Sequence, residues 1–278
     1  MKPINVLSTF DGISCGMVAL KRAGIPINNY YAFEIDKYAI KISEKNYPEI
    51  VHLGDVKKWK GIELPKIDLL LGGFPCQSHS IAGNRKGFDD PRGQLFFDMV
   101  DILNYYREIN PDLKFLFENV SKITKDNLKV ISNSLGVEPV LINSSLVSAQ
   151  NRKRLYWTNF SDDIEQPEDR HIYLKDILEG GTGAIKSFGV YKPKEDKSQC
   201  LDANYWKGED NHGQRTVIKT TTDGFYYRKL TPLEFERLQT LPDGFTEGVS
   251  NSQRYKMIGN GWNIDTIVHL LKYYTKGE

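Results

Sequence analysis

The chain has 278 residues, 40% of them apolar and 26% charged, a globular composition long enough for one large α/β domain with or without an appendage. A net charge of +1 excludes a protein that binds nucleic acid through overall basicity, so any such partner must meet a local concentration of Lys and Arg. No apolar run approaches the roughly 18 residues of a membrane span. The three scattered cysteines argue against a disulfide framework or a zinc site, and the opening segment has no signal-peptide pattern, so a cytoplasmic protein without metal is expected.

In chain order, "INVLSTF" (4–10) predicts a strand that breaks on the turn "DGIS". A helix follows, with Cys15, Val18, Ala19 and Arg22 at helical spacing and Gly24 as its stop. "YYAFEI" (30–35) predicts a second strand, and Asp36 is placed to cap the next helix. "IDLLLGGF" (67–74) is a continuous apolar run, as in a strand covered on both faces. "GQLFFDMVDILNYYREI" predicts an amphipathic helix, and "KFLFENV" (114–120), "EPVLINSSLV" and "RLYWTNF" predict three further strands. Strands alternating with helices give an α/β fold with a doubly wound, mostly parallel sheet, whose ligands sit at the carboxyl ends of the strands.

From about 169 to 227 the pattern becomes rich in Gly and polar residues, which predicts a small separate lobe. Residues 1–168 and 228–278 then form the main domain. Thr231, Pro232 and Glu234 spell a capped helix start, and "IDTIVHLLKYY" predicts the last helix.

Several residues stand where such a sheet presents chemistry. "FDGISCG" is a glycine turn between strand and helix, where Gly12 and Gly16 permit close backbone approach; a plain tight turn explains it equally well. Glu34 ends the next strand, where an acid can accept from ribose hydroxyls, and Asp55 is placed to accept from an adenine amine. Singly, each acid is also explained as a solvated loop carboxylate; together they suit a nucleoside with a carboxylate end, such as S-adenosylmethionine. Cys76 follows Pro75 and opens a long polar loop in which Arg85, Lys86 and Arg92 can stabilise a thiolate. Glu118 follows Phe115, Leu116 and Phe117, and apolar neighbours predict a carboxyl able to stay protonated and donate. A thiolate and a proton-donating carboxyl facing one cleft are what nucleophilic attack on an electron-poor ring requires.

With "FDGISCG", "GGFPCQ", "ENV", "QNRKRLYW" and "GNGWN" in this order, the chain resembles the cytosine-5 DNA methyltransferases over nearly its whole length. The loop around Cys76 resembles bacterial or phage modification enzymes, and the opening turn resembles the animal de novo branch. Ser14 and Trp262 depart from the commoner bacterial pattern.

The resemblance implies a Rossmann-like fold that binds S-adenosylmethionine. It makes Cys76 the nucleophile on carbon 6 of cytosine and Glu118 the group on the ring nitrogen and exocyclic amine. Arg152 and Arg154 would hold the ring oxygen, the phosphate and the glutamate. Cofactor contacts would come from Phe10, Gly12, Ile13, Glu34, Asp55, Val56, Pro75, Leu95, Asn260 and Trp262. Gln77, Ser80, Ile81, Arg85, Lys86 and Arg92 would meet double-stranded DNA as their loop closes on a flipped base.

The lobe at 169–227 would read the target sequence. Residues 186–229 hold nine Lys or Arg against six Asp or Glu, and Tyr205, Trp206 and Tyr226 either pack the lobe or touch bases. A monomer or weak dimer, partnered by a restriction endonuclease acting on the same sequence, is expected. Methylation of transfer RNA and a non-catalytic regulatory role are the alternatives. Exocyclic amine methylation lacks its Asp/Asn-Pro-Pro-aromatic motif.

Overall fold

The computed structural model describes residues 1–75, 93–179, 183–186, 197–207, 215–219 and 227–276. Two compact units divide the chain. The first gathers Met1–Ile142, Lys153–Glu165 and Leu270–Glu278; the second gathers Asn143–Arg152 and Gln166–His269. Residues 169–227 lie inside the second unit, together with the segment 228–269.

The main sheet has seven strands: β1 (Ile4–Thr9), β2 (Ile27–Phe33), β3 (Val51–Gly54), β4 (Leu69–Gly72), β5 (Lys114–Val120), β6 (Val140–Asn143) and β7 (Lys153–Thr158). Their order is β3-β2-β1-β4-β5-β7-β6. The β1–β2, β1–β4, β2–β3 and β4–β5 pairs are parallel, and β5–β7 is antiparallel. The sheet is thus doubly wound and mostly parallel, with its order reversing beside β1, where such folds take ligands.

Helices α1 (Cys15–Arg22), α2 (Lys37–Asn46), α3 (Gln94–Ile109) and α4 (Lys125–Leu135) connect the strands. Leu7, Leu70, Phe115 and Phe117 face one side of the sheet and form a core with Phe96, Met99, Leu103 and Tyr106 of α3 and Ile131 and Leu135 of α4. At about 25 cal/mol per Å² of buried apolar area, such a face is the main source of stability. On the other side α1 packs so closely that a Cβ at Gly16 would meet Leu71 Cδ1 and Tyr30 Oη at 2.7 Å. The close approach anticipated at Gly16 is therefore made to the sheet.

Both expected limits of β2 move, and the strands expected at 4–10 and 67–74 shorten to Ile4–Thr9 and Leu69–Gly72. β2 begins at Ile27, where Asn28 and Asn29 both donate to Asn5 Oδ1, and it stops at Phe33. Glu34 and Ile35 leave the strand because the Glu34 carboxylate accepts from the amides of Ile35 and Asp36. Asp36 caps α2 by accepting from Tyr38 N.

The second unit contains β8 (Gly183–Lys186), β9 (Thr216–Lys219) and β10 (Tyr227–Lys229), an antiparallel sheet in the order β10-β9-β8. It also holds α5 (Pro232–Leu238), α6 (Asn251–Asn260) and the start of α7 (Ile264–Lys276). Thr231 and Glu234 form the anticipated reciprocal capping box of α5. Among the described residues no helix is long and apolar enough to cross a membrane.

Candidate active site

Register alone aligns a row of side chains. Gly54 pairs with Phe33, Phe33 with Thr9, Thr9 with Gly72, and Gly72 with Phe117. The next residue on each strand is Asp55, Glu34, Phe10, Gly73 and Glu118, so five strands deliver these five residues side by side at the carboxyl edge. Glu118 is not the last residue of β5, which continues to Val120 against β7. It stands one residue past the end of the β4 pairing, where the sheet opens.

The turn after β1 is unusual backbone. Phe10, Gly12 and Ser14 all have left-handed φ, at 55°, 59° and 60°. Left-handed backbone at the two non-glycine residues costs each on the order of 1 kcal/mol and has to be held by its surroundings. Asp11 N donates to Phe33 O at 3.0 Å and Gly12 N donates to Glu34 Oε2 at 2.7 Å. Beneath the turn, Asp11 accepts from Tyr30 Oη at 2.7 Å and from Ser14 Oγ at 2.5 Å, and Ser14 Oγ also meets Ser43 Oγ at 2.6 Å. Burial pushes the Asp11 carboxyl above its ordinary range, opposed by the hydrogen bonds from Ser14, Ser8 and Tyr30.

The edge fits an adenosyl ligand. A Cβ at Gly12 would meet nothing within 4 Å, so the turn opens onto free space. Glu34 uses three of the roughly four acceptor positions of a carboxylate on the amides of Gly12, Ile35 and Asp36, which leaves one on Oε2 for a hydroxyl. Asp55 caps the 3-10 turn Val56–Gly61 with Oδ1, and Oδ2 has no partner among the described residues. Ile13 and Val56 are buried, while Pro75 and Leu95 are half-buried. Asn260 is exposed and Trp262 half-buried, both at the end of α6 in the second unit.

Gly72 is required by crowding: a Cβ there would lie 2.4 Å from Thr9 Oγ1 and 3.0 Å from Met99 Sδ. Beyond it the Phe74 ring packs on Phe96 and Trp157, with centroids 4.9 and 6.2 Å away. Asn119 Nδ2 donates to Phe74 O at 3.3 Å. The backbone leading to Pro75 is therefore fixed from a ring and a carbonyl at once. Cys76, Gln77, Ser80, Ile81, Arg85, Lys86 and Arg92 lie outside the described residues.

Glu118 is not held by apolar neighbours alone. Arg154 Nε lies 2.7 Å from its Oε1, and both side chains are nearly buried. Glu118 pairs with Tyr156 and Val120 with Arg154, so Arg154 is the diagonal, same-face neighbour of Glu118 across an antiparallel pair. Arg152 belongs to the second unit. Its buried guanidinium donates to Gly261 O at 2.8 Å, Gly259 O at 3.3 Å and Leu201 O at 3.4 Å within the second unit.

In that unit Tyr205 is buried against Phe235 and Tyr255, and its hydroxyl bridges Thr216 O and Leu230 N. Its neighbour Trp206 is exposed, and Tyr226 lies outside the described residues. Asn119, Asp11, Tyr30, Gln150 and Gln239 are the positioning groups the sequence did not single out. Of these, Asn119, Asp11 and Gln150 fall inside the motifs "ENV", "FDGISCG" and "QNRKRLYW", while Tyr30 and Gln239 fall in none of them.

A family model described as C-5 cytosine-specific DNA methylase matches residues 4–222 and 179–276. The chain is 32% identical over 280 residues to the orphan methyltransferase M.SPRI of Bacillus phage SPR, covering 91% of this chain and 62% of that protein. It is 31% identical over 284 residues to the type II methyltransferase M1.ScrFI of Lactococcus lactis subsp. cremoris, covering 87% and 70%. The chain spans 46% of a second phage relative, the orphan methyltransferase M.Rho11sI of Bacillus phage rho11s. Among solved structures, the Dnmt2 methyltransferase of S. pombe superposes with TM-score 0.75 at 18% identity over 99% of both chains. The Entamoeba histolytica methyltransferase EhMeth gives 0.72 at 21% identity, over 100% of this chain and 99% of that one. These two likenesses show the fold.

Proposed function

Because this chain belongs to the C-5 cytosine-specific DNA methylase family, we propose that it methylates carbon 5 of a cytosine flipped out of double-stranded DNA at a short specific sequence. The observation that carries the reading is the strand-end row, with Phe10, Glu34 and Asp55 at one end and the Glu118–Arg154 pair at the other. A nucleoside site and a charge-stabilising site thus share one edge.

In this reading the Cys76 thiolate adds to carbon 6 of the ring. A carbon–sulfur bond forms and the electron pair of the 5,6 double bond moves to carbon 5. Glu118, oriented by Arg154, holds the ring nitrogen and exocyclic amine where the charge redistributes. S-adenosylmethionine, when bound, would supply the electrophilic methyl group to carbon 5, its methyl–sulfur bond breaking with the electron pair kept on sulfur to leave S-adenosylhomocysteine. The carbon 5 proton then leaves to a base, the double bond re-forms and Cys76 departs.

Glu34 and Asp55 orient the nucleoside, and Phe10, Gly12 and Ile13 shape its methionine end. Val56, Pro75 and Leu95 line the same edge, and Asn260 and Trp262 are the further cofactor contacts proposed in the second unit. Arg152 acts as a positioning residue. Residues 169–227 read the target, Gln77, Ser80, Ile81, Arg85, Lys86 and Arg92 are the proposed DNA contacts, and a restriction endonuclease of the same specificity is the proposed partner.

The test is expression in a methylation-free bacterial host followed by sequencing that reports 5-methylcytosine. Methylation at one short recurring sequence, abolished by Cys76→Ala with DNA binding retained, is the expected result. Unmethylated DNA from a folded, cofactor-binding protein would sink the DNA reading, and transfer RNA would be assayed next.

A further inference from the structure

Three buried residues of the second unit, Gln239, Gln150 and Arg152, form a hydrogen-bond network that ends on one turn. Gln239 is fully buried, and its Nε2 donates to Ile258 O at 2.9 Å and to Gly261 O at 3.0 Å. Its Oε1 accepts from Gln150 Nε2 at 3.0 Å, and Gln150 Oε1 accepts from Leu201 N at 3.0 Å. Arg152 adds donors to Gly259 O and Gly261 O.

The direction of this relay is forced. A backbone N–H at one end needs an oxygen and backbone carbonyls at the other need N–H groups, so neither amide can be reversed without leaving buried groups unpaired. The turn is also pressed from outside, since a Cβ at Gly259 would meet the backbone of Asp202 at 2.5 Å. The residue between the clamped Gly259 and Gly261 is Asn260, which is exposed.

We infer that Gln239 is a positioning residue: its carboxamide fixes the end of α6 so that Asn260 is presented to the cofactor in one conformation. The inference rests on the reading of Asn260 as a cofactor contact. It gives a buried glutamine 21 positions away in sequence a role in ligand affinity as well as in the unit's stability.

The experiment is a double-mutant cycle read by calorimetric titration with S-adenosylhomocysteine, alongside thermal unfolding. Gln239→Met keeps the length and removes both donors. It should weaken binding about fivefold or more, as Asn260→Ala should. The double variant should bind within about twofold of Asn260→Ala, because the two act through one contact. Additive losses would overturn the inference, since they would mean Gln239 affects the ligand by another route.

Full affinity in Gln239→Met beside a weakened Asn260→Ala would overturn it while leaving the Asn260 reading intact. Full affinity in Asn260→Ala would remove that reading and the inference with it. If Gln239→Met does not fold, Gln150→Met removes the donor one step back in the relay and should show the same non-additivity at smaller size.

Discussion

The two units solve the placement of polar groups in opposite ways. The first hides apolar faces and leaves its acids at the strand ends, where Glu34, Asp55 and Glu118 stand in register. The second hides the polar groups themselves: Glu234, Glu236, Gln150 and Gln239 are all fully buried. Glu234 takes a two-pronged contact from Arg228, at 2.7 and 2.8 Å. Glu236 accepts from Gly244 N, Thr246 N and Arg254. Position in the first unit comes from sheet register, which tolerates changes at the edge. Position in the second comes from directed bonds, whose partners are costly to lose.

The sharpest test of that contrast is Glu118→Gln. The amide oxygen can still accept from Arg154, so the fold should survive with an unfolding midpoint shifted by less than about 4 °C. On the proposed mechanism the turnover rate should fall about 10²- to 10⁴-fold, because the neutral amide no longer offers the carboxylate's charge to the ring nitrogen and exocyclic amine. Steady-state kinetics beside a thermal melt would show both; equal activity would remove Glu118 from the chemistry.

Glu236→Ala probes the other regime. It strands the Arg254 guanidinium and the amides of Gly244 and Thr246, and should cost about 3 to 5 kcal/mol of stability by denaturant titration. A loss near zero would mean that this network is not what holds the second unit.

Asp11 lies between the two regimes, being a buried acid under the edge. Its folded carboxyl titrates higher than its unfolded one because burial disfavours the charge, and the nearby Glu34 charge acts in the same direction. Between the two values the native state holds a proton that the unfolded chain has lost. Stability therefore falls as pH rises from the ordinary Asp value through the raised one, then levels. Asp11→Asn should flatten that slope, with the variant gaining about 1 to 4 °C on the parent across the window. Parallel melting curves at every pH would refute it.

The smallest effect belongs to Lys21→Ala. Its 2.7 Å pair with Glu49 is about half exposed on both sides, so water screens it and the loss should stay below about 1 kcal/mol.

What could be read from the sequence follows the same division. β5 was legible residue for residue, because a run of buried aromatics between polar ends has a strand's length and no helical period. The Asp36 cap and the Thr231–Glu234 box were legible because capping is local chemistry. β3 was not, since "VHLG" is four residues of edge strand without alternation. The reversed direction of β7 has no signature in periodicity, so the meeting of Arg154 with Glu118 could enter through family likeness alone. The Gln150–Gln239 bond joins residues 89 apart through amides that leave no pattern in the chain.

The reversal of β7 has one more consequence. Leu155 and Trp157 face the aromatic core, while Arg154 and Tyr156 face the side of Glu118. If the strand slid by a single residue, every side chain would change sides. The same displacement that separates the cation from its carboxylate would drive that cation in among phenyl rings and turn the indole out of them. The strand therefore proofreads its own frame. A miscounted pairing disturbs the core and the candidate site together.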